Sequence, residues 1–85
     1  MNINIDEVIE FPTLYTFKII GINTEIFKNK VILLFQNKKN KNLKFNLSKS
    51  NKYLSVTVEV EVINKDELFE IYKKIKNIQG VTYFL

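Results

Sequence analysis

The stretch Tyr53–Val62, YLSVTVEVEV, constrains the fold more than any other part of the chain. Leu54, Val56, Val58, Val60 and Val62 alternate there with Tyr53, Ser55, Thr57, Glu59 and Glu61. Successive side chains of a strand point to opposite faces, so the pattern predicts a long strand with one apolar and one polar face. Such a strand belongs to a sheet that is covered on one side and wet on the other. A chain of 85 residues must supply that cover from its own helices, within a single domain spanning 1–85.

A second alternating run follows Pro12. Tyr15, Phe17 and Ile19 point one way and Thr16, Lys18 and Ile20 the other, which predicts a strand over Leu14–Ile20. Pro12 drives Phe11 out of the helical region and marks the start of that strand. Gly21 is expected to end it and to let the backbone turn sharply, with Asn23 or Thr24 capping a helix. Within Thr24–Gln36 the run VILLF (Val31–Phe35) would also suit a buried strand. The length of the segment without a turn signal decides for a helix, with Ile26, Phe27, Val31, Leu34 and Phe35 on its apolar face. Asn37–Asn42, NKKNKN, reads as a solvated loop whose lysines sit well beyond a helix C-terminus.

Leu43, Phe45 and Leu47 alternate with Lys44, Asn46 and Ser48 in the next strand, and Ser48–Lys52 turns into Tyr53. Asn64 and Glu67 have the spacing of a capping box. Leu68, Ile71, Tyr72 and Ile75 then recur at helical intervals. Gly80 stops the helix, and VTYFL reads as a final strand. Residues 1–12 form a leader, in which Ile5, Val8 and Ile9 predict a short helical turn.

The order β-α-β-β-α-β, with two right-handed crossovers into one sheet, predicts an α+β ferredoxin-like sandwich. Its four-stranded antiparallel sheet has the order 4-1-3-2. Both helices lie on the face built from Tyr15, Phe17, Ile19 and Leu54–Val62, and the other face is open.

Composition excludes several uses of this architecture. There is no cysteine and no histidine, which removes thiolate metal sites, iron–sulfur clusters and the commonest general base; no cofactor is expected. Arginine is absent too, so an acylphosphatase-type phosphoryl clamp is missing. RNA recognition on the open face needs stacked aromatics, and those positions read Thr16, Lys18, Ser55, Thr57 and Glu59. Tyr53 and Phe84 are the aromatics expected near that face, toward strand ends. Glu59 and Glu61, about 7 Å apart along one strand face, read as solvated carboxylates with Lys44 or Lys18 as cross-strand partners. The opening residues lack the pattern of a signal peptide and no run is long enough to span a membrane, so the expectation is a cytoplasmic protein without membrane contact.

Two places remain for binding. The turn Gly21-Ile22-Asn23-Thr24 presents backbone N–H groups at a helix N-terminus, which makes Gly21, Asn23 and Thr24 candidate ligand residues. Thr16, Lys18, Tyr53, Ser55 and Thr57 form a candidate interaction surface on the open face. Net charge is +4, carried entirely by lysines. The Lys-rich loop 38–44, with Lys38, Lys39, Lys41 and Lys44, therefore supplies an alternative as a nucleic-acid footprint. Nucleic acid is nevertheless disfavoured: the lysine content matches the abundant Asn and Ile and the missing Ala of an A- and T-rich coding sequence.

Phe11-Pro12 leading into Phe17-Lys18-Ile19-Ile20-Gly21, the block Tyr53-Leu54-Ser55-Val56-Thr57-Val58, and the close from Tyr72 through Gly80-Val81 to Leu85 resemble the YbeD-like family of small bacterial proteins. The likeness runs over nearly the whole chain. It implies a ferredoxin-like domain similar to ACT regulatory domains, with no catalytic residues to carry over. Relatives often hold Gly just before the Tyr block, where this chain has Asn51. The resemblance thus implies a left-handed backbone at or beside Asn51, since Asn is the best non-Gly residue there. Together these readings predict a non-enzymatic regulatory module that binds a small ligand or a protein partner. Exposed sheet edges and the open face add a homodimer to the expectations.

Overall fold

The computed structural model describes residues 9–85; of the helical turn expected from Ile5, Val8 and Ile9, the first two lie outside the described residues and Ile9 is not helical. The elements follow the expected order: β1 (Thr13–Ile22), α1 (Glu25–Phe35), β2 (Asn42–Leu47), β3 (Tyr53–Val62), α2 (Lys65–Lys76) and β4 (Val81–Phe84). The sheet is antiparallel with strand order β2-β3-β1-β4. This is the βαββαβ ferredoxin-like sandwich, with both helices on one face.

The longest pairing joins the two alternating runs. Phe17 lies opposite Val58 and Ile19 opposite Val56 in the β1–β3 ladder. All four are fully buried, so one face of the central strands is continuous core. A one-residue slip would send every valine of β3 to water, which is why the register is well specified. VILLF is helical: Phe27, Val31 and Phe35, one turn apart, carry the buried face of α1. Ile26 departs from expectation and stays 53% exposed, lining a surface hollow with Ile22 and Gly80 instead of joining the core. On α2, Leu68, Ile71 and Ile75 are buried. Half-buried Tyr72 meets Tyr15 through a hydroxyl–hydroxyl hydrogen bond of 3.0 Å. Burial, followed by that bond and the neighbouring phenol's charge, pushes the Tyr72 phenol well above its usual range.

Thr24 caps α1, its Oγ1 accepting the Phe27 N–H at 3.1 Å. Asn64 caps α2, its Oδ1 accepting the Glu67 N–H at 2.8 Å. The capping box closes one residue earlier than the standard form, since the Glu67 carboxylate accepts from Ile63 N–H at 2.8 Å. Its other oxygen takes the Lys38 ammonium at 3.0 Å, which ties the α1–β2 loop to the start of α2. Asn51 has φ 60 and is left-handed as the family resemblance implies. The Phe11–Pro12 peptide is cis, and β1 begins directly after it.

Gly21 corrects the sequence reading. It does not end β1 but lies inside it, buried and paired with Leu54, and the chain turns at Asn23 and Thr24 instead. Its φ is not positive; the reason for glycine is space. A Cβ built at Gly21 would stand 2.6 Å from Phe27 Cδ1, inside the ring's contact radius. Gly80, with φ 94, does need the left-handed freedom of glycine, and a Cβ there would also press on Phe27, 3.3 Å from its Cβ.

Two outcomes follow for stability. Gly21→Ala should lose about 2 kcal/mol in urea denaturation through overpacking, and the loss should shrink in a Phe27→Leu background; an Ala that costs nothing would show that the ring slides aside freely. Glu67 gives a pH signature. Burial raises its carboxyl, but the Ile63 N–H and the Lys38 charge outweigh that and hold it below its ordinary 4.5. A depressed carboxyl stabilises the fold above the unfolded value and loses that contribution as pH falls through the folded one. Glu67→Gln should therefore be less stable than the parent by about 1 kcal/mol at neutral pH, and the gap should close as pH drops below 4.5.

Candidate functional site

The open face is built by the residues that alternate with the core. Register sets them in rows across the sheet. Asn42, Glu59 and Thr16 form one row, and Lys44, Thr57 and Lys18 the next. Asn46, Ser55, Ile20 and Tyr83 make a third, and Tyr53 lies opposite Ile22 beyond it. Leu85 extends β4 past its last paired residue, exchanging backbone bonds with Lys18 at 2.8 and 3.1 Å. The sequence-selected residues Thr16, Lys18, Tyr53, Ser55 and Thr57 thus all lie on this one surface.

The surface divides by polarity. The rows through Glu59 and Lys44 are polar and charged. Toward β4, half-buried Ile20 joins exposed Ile22, Tyr53, Tyr83 and Leu85 in an apolar patch. Tyr83 and Leu85 are more than half exposed, 55% and 58%, so the patch is open to a partner. Sequence reasoning missed Ile20, Ile22, Tyr83 and Leu85. The signal was present: alternate residues of VTYFL share a face, and Ile20 continues the parity of Thr16 and Lys18.

Phe84 is a second correction. Expected near the open face, it lies opposite Ile19 and packs on the core side, its ring 6.1 Å from Tyr72. Glu59 and Glu61 are a third. Among the described residues neither makes an ion pair with Lys18 or Lys44, which stand in the neighbouring row. Both carboxylates are exposed.

Gly21, Asn23 and Thr24 come together at the start of α1 with structural duties. Asn23 Nδ2–H donates to Asn51 O at 2.9 Å and its backbone N–H to Lys52 O at 3.0 Å, which holds the β2–β3 turn against β1. Thr24 caps the helix, and Gly21 makes room for Phe27. Beside them is a shallow hollow of about 270 Å³ lined by Ile22, Thr24, Ile26, Gln79 and Gly80. It adjoins the apolar patch through Ile22.

In the lysine loop, Lys38 is bound by Glu67, and Lys41 Nζ donates to Gln36 O and Lys38 O at 3.2 and 3.0 Å. Lys41 thus closes the carbonyl end of α1, while Lys39 and Lys44 are exposed. No group of three or more acidic, cysteine or histidine side chains that could hold a metal occurs among the described residues. Nor is any described helix long and apolar enough to cross a membrane.

Known proteins agree with this geometry. The chain is 32% identical over 83 residues to a UPF0250 protein of Shewanella oneidensis, covering 95% of this chain and 94% of that one. It is similar to the solution structure of protein HP0495 from Helicobacter pylori, with a TM-score of 0.70 at 27% identity over 100% and 97% of the two chains. The ACT domain from the GTP pyrophosphokinase of Chlorobium tepidum superposes with a TM-score of 0.67 over 85% of this chain and 94% of that one. At 19% identity that likeness is one of fold. Residues 6–85 match a family described as a protein of unknown function, DUF493. With that match over residues 6–85 and that identity over nearly the whole of both chains, the chain belongs to the UPF0250/DUF493 family of small bacterial proteins.

Proposed function

We propose that this protein is a non-enzymatic regulatory module, working in the cytoplasm, that binds a small ligand or a protein partner on the open face of its sheet. The observation that carries the reading is the exposed patch of Ile20, Ile22, Tyr53, Tyr83 and Leu85, bordered by the hydroxyl and ammonium groups of Ser55, Thr57 and Lys18. Apolar surface with a few convergent polar groups is the usual composition of a recognition site. The side chains present supply adhesion and orientation. They do not supply a nucleophile paired with a base, and the chain has neither histidine nor cysteine to make one. The ACT-like fold supports the same reading by analogy of fold alone, since the Chlorobium domain is one part of a GTP pyrophosphokinase.

The nucleic-acid alternative through loop 38–44 is weaker. Two of its four lysines already hold backbone or carboxylate oxygens, and Glu59 and Glu61 lie on the neighbouring sheet face.

A thermal-shift screen of metabolites tests the proposal. A ligand at a hundredfold excess over its Kd should add about 2.7 kcal/mol of stability, and Tyr83→Ser with Ile20→Thr should abolish that gain while leaving the unliganded protein folded. A hit that is indifferent to both substitutions would place binding elsewhere. Nucleic acid that binds at low salt, weakens steeply as salt rises and is lost on Lys39→Gln with Lys44→Gln would favour the alternative.

A further inference from the structure

The sheet has two outer edges, and they differ. The β4 edge is short, four residues, and its ladder with β1 shifts register between Ile20 and Gly21. Such irregularity is a common protection against edge-to-edge association. The β2 edge has no such irregularity; Lys44 is the one charged side chain on it. Its six residues pair with β3 in unbroken register from Asn42–Glu59 to Leu47–Leu54.

The direction of its unused backbone groups follows from the ladder. Ser48 N–H donates to Tyr53 O at 3.0 Å, in register with the rest of the pairing. Peptide groups alternate in direction along a strand, so Asn42, Lys44 and Asn46 turn theirs toward β3. Leu43, Phe45 and Leu47 therefore turn their N–H and C=O groups outward. The same three residues carry the apolar side chains of the strand. Phe45 remains 37% exposed and Leu47 54%, although both stand beside buried residues of β3. On α1, Ile32 is 37% exposed on the flank shared with Lys28, whose ammonium lies 5.2 Å from the Phe45 ring centroid.

We infer that the β2 edge joins a second copy of this chain, β2 against β2 in antiparallel pairing about a twofold axis at Phe45. The occupant is argued from self-complementarity. With the axis at Phe45, the outward groups of Phe45 meet those of Phe45 in the other copy, and Leu43 meets Leu47. Each of these pairs exchanges two backbone hydrogen bonds, and every apolar side chain of the edge faces another. On the opposite face Lys44 comes to lie across from Asn46. Moving the axis to Lys44 would set the two Lys44 ammoniums directly opposite, which is destabilising. Moving it to Asn46 would set Leu43 across from Lys49. The pairing uses the sheet edge and leaves the open face free, so it holds whether or not that face has a ligand.

The test combines sedimentation equilibrium with amide hydrogen exchange on the whole, unmodified chain. The dimer fraction should grow with concentration and also with salt, because each copy carries +4 and screening relieves their repulsion. As the dimer forms, the Leu43, Phe45 and Leu47 amides should become slow to exchange, and those of Asn42, Lys44 and Asn46 should not change. Asn46→Asp should tighten the dimer about fivefold by facing Lys44 with a carboxylate, and Asn46→Lys should weaken it. Gln79→Glu, which makes the same charge change as Asn46→Asp away from the edge, should leave it much less affected. A monomer at every concentration would overturn the inference. So would a dimer whose new protection appears at β4, or one in which Leu43, Phe45 and Leu47 stay unprotected.

Discussion

The seat of Phe27 is the constraint on which the rest of the structure depends. The chain has two glycines, and both abut this one ring: Gly21 from beneath, within β1, and Gly80 from the side, just before β4. An aromatic ring in the first turn of α1 can reach the sheet only where a strand residue has no side chain. The seat fixes the height of α1 above β1, and with it the positions of Val31 and Phe35 over the core. It also brings the α2–β4 turn against the start of α1, so both crossovers are anchored at the same corner. Buried aromatic area of this kind dominates small cores, and a chain with no disulfide has few substitutes for it.

Much of this was legible in the amino-acid order, for a local reason. Period-two alternation in Leu14–Ile20 and Tyr53–Val62 reports which side of a strand is wet. The Asn64–Glu67 spacing reports a helix start, and Asn51 a left-handed turn. Gly21 was misread because its cause is tertiary: nothing next to it in sequence announces that a ring six residues later will lie over it. Phe84 was misplaced because a four-residue strand has too little pattern to set its own phase. Pairing with β1, including the shift after Ile20, decides that Phe84 goes inward and Tyr83 outward.

The candidate site divides in the same way. The polar members of the open face, Thr16, Lys18, Ser55 and Thr57, were legible because a polar residue in an alternating strand must point to water. Of the apolar members, Ile20 alone was placed outside by that alternation. Ile22 lies beyond the glycine expected to end the strand and Leu85 in a run too short to set its own phase, so it takes the register to put these two outside. Functional surfaces are expected where local preference and global placement disagree, and this patch is such a disagreement. Gly21, Asn23 and Thr24 show the reverse: residues that looked available in sequence make structural contacts, Gly21 and Thr24 at the corner around Phe27 and Asn23 with the β2–β3 turn.

Both helices lie on one side of the sheet, and this asymmetry has a geometric consequence. Two copies continued along an outer strand would keep all their helices on the same side. Their bare faces would then look in a common direction from one broad platform. A target that repeats its recognition element at the spacing of that platform would be gripped twice by one assembly, and the second grip would be intramolecular. Avidity, rather than a stronger single contact, would then set how firmly so small a domain holds on.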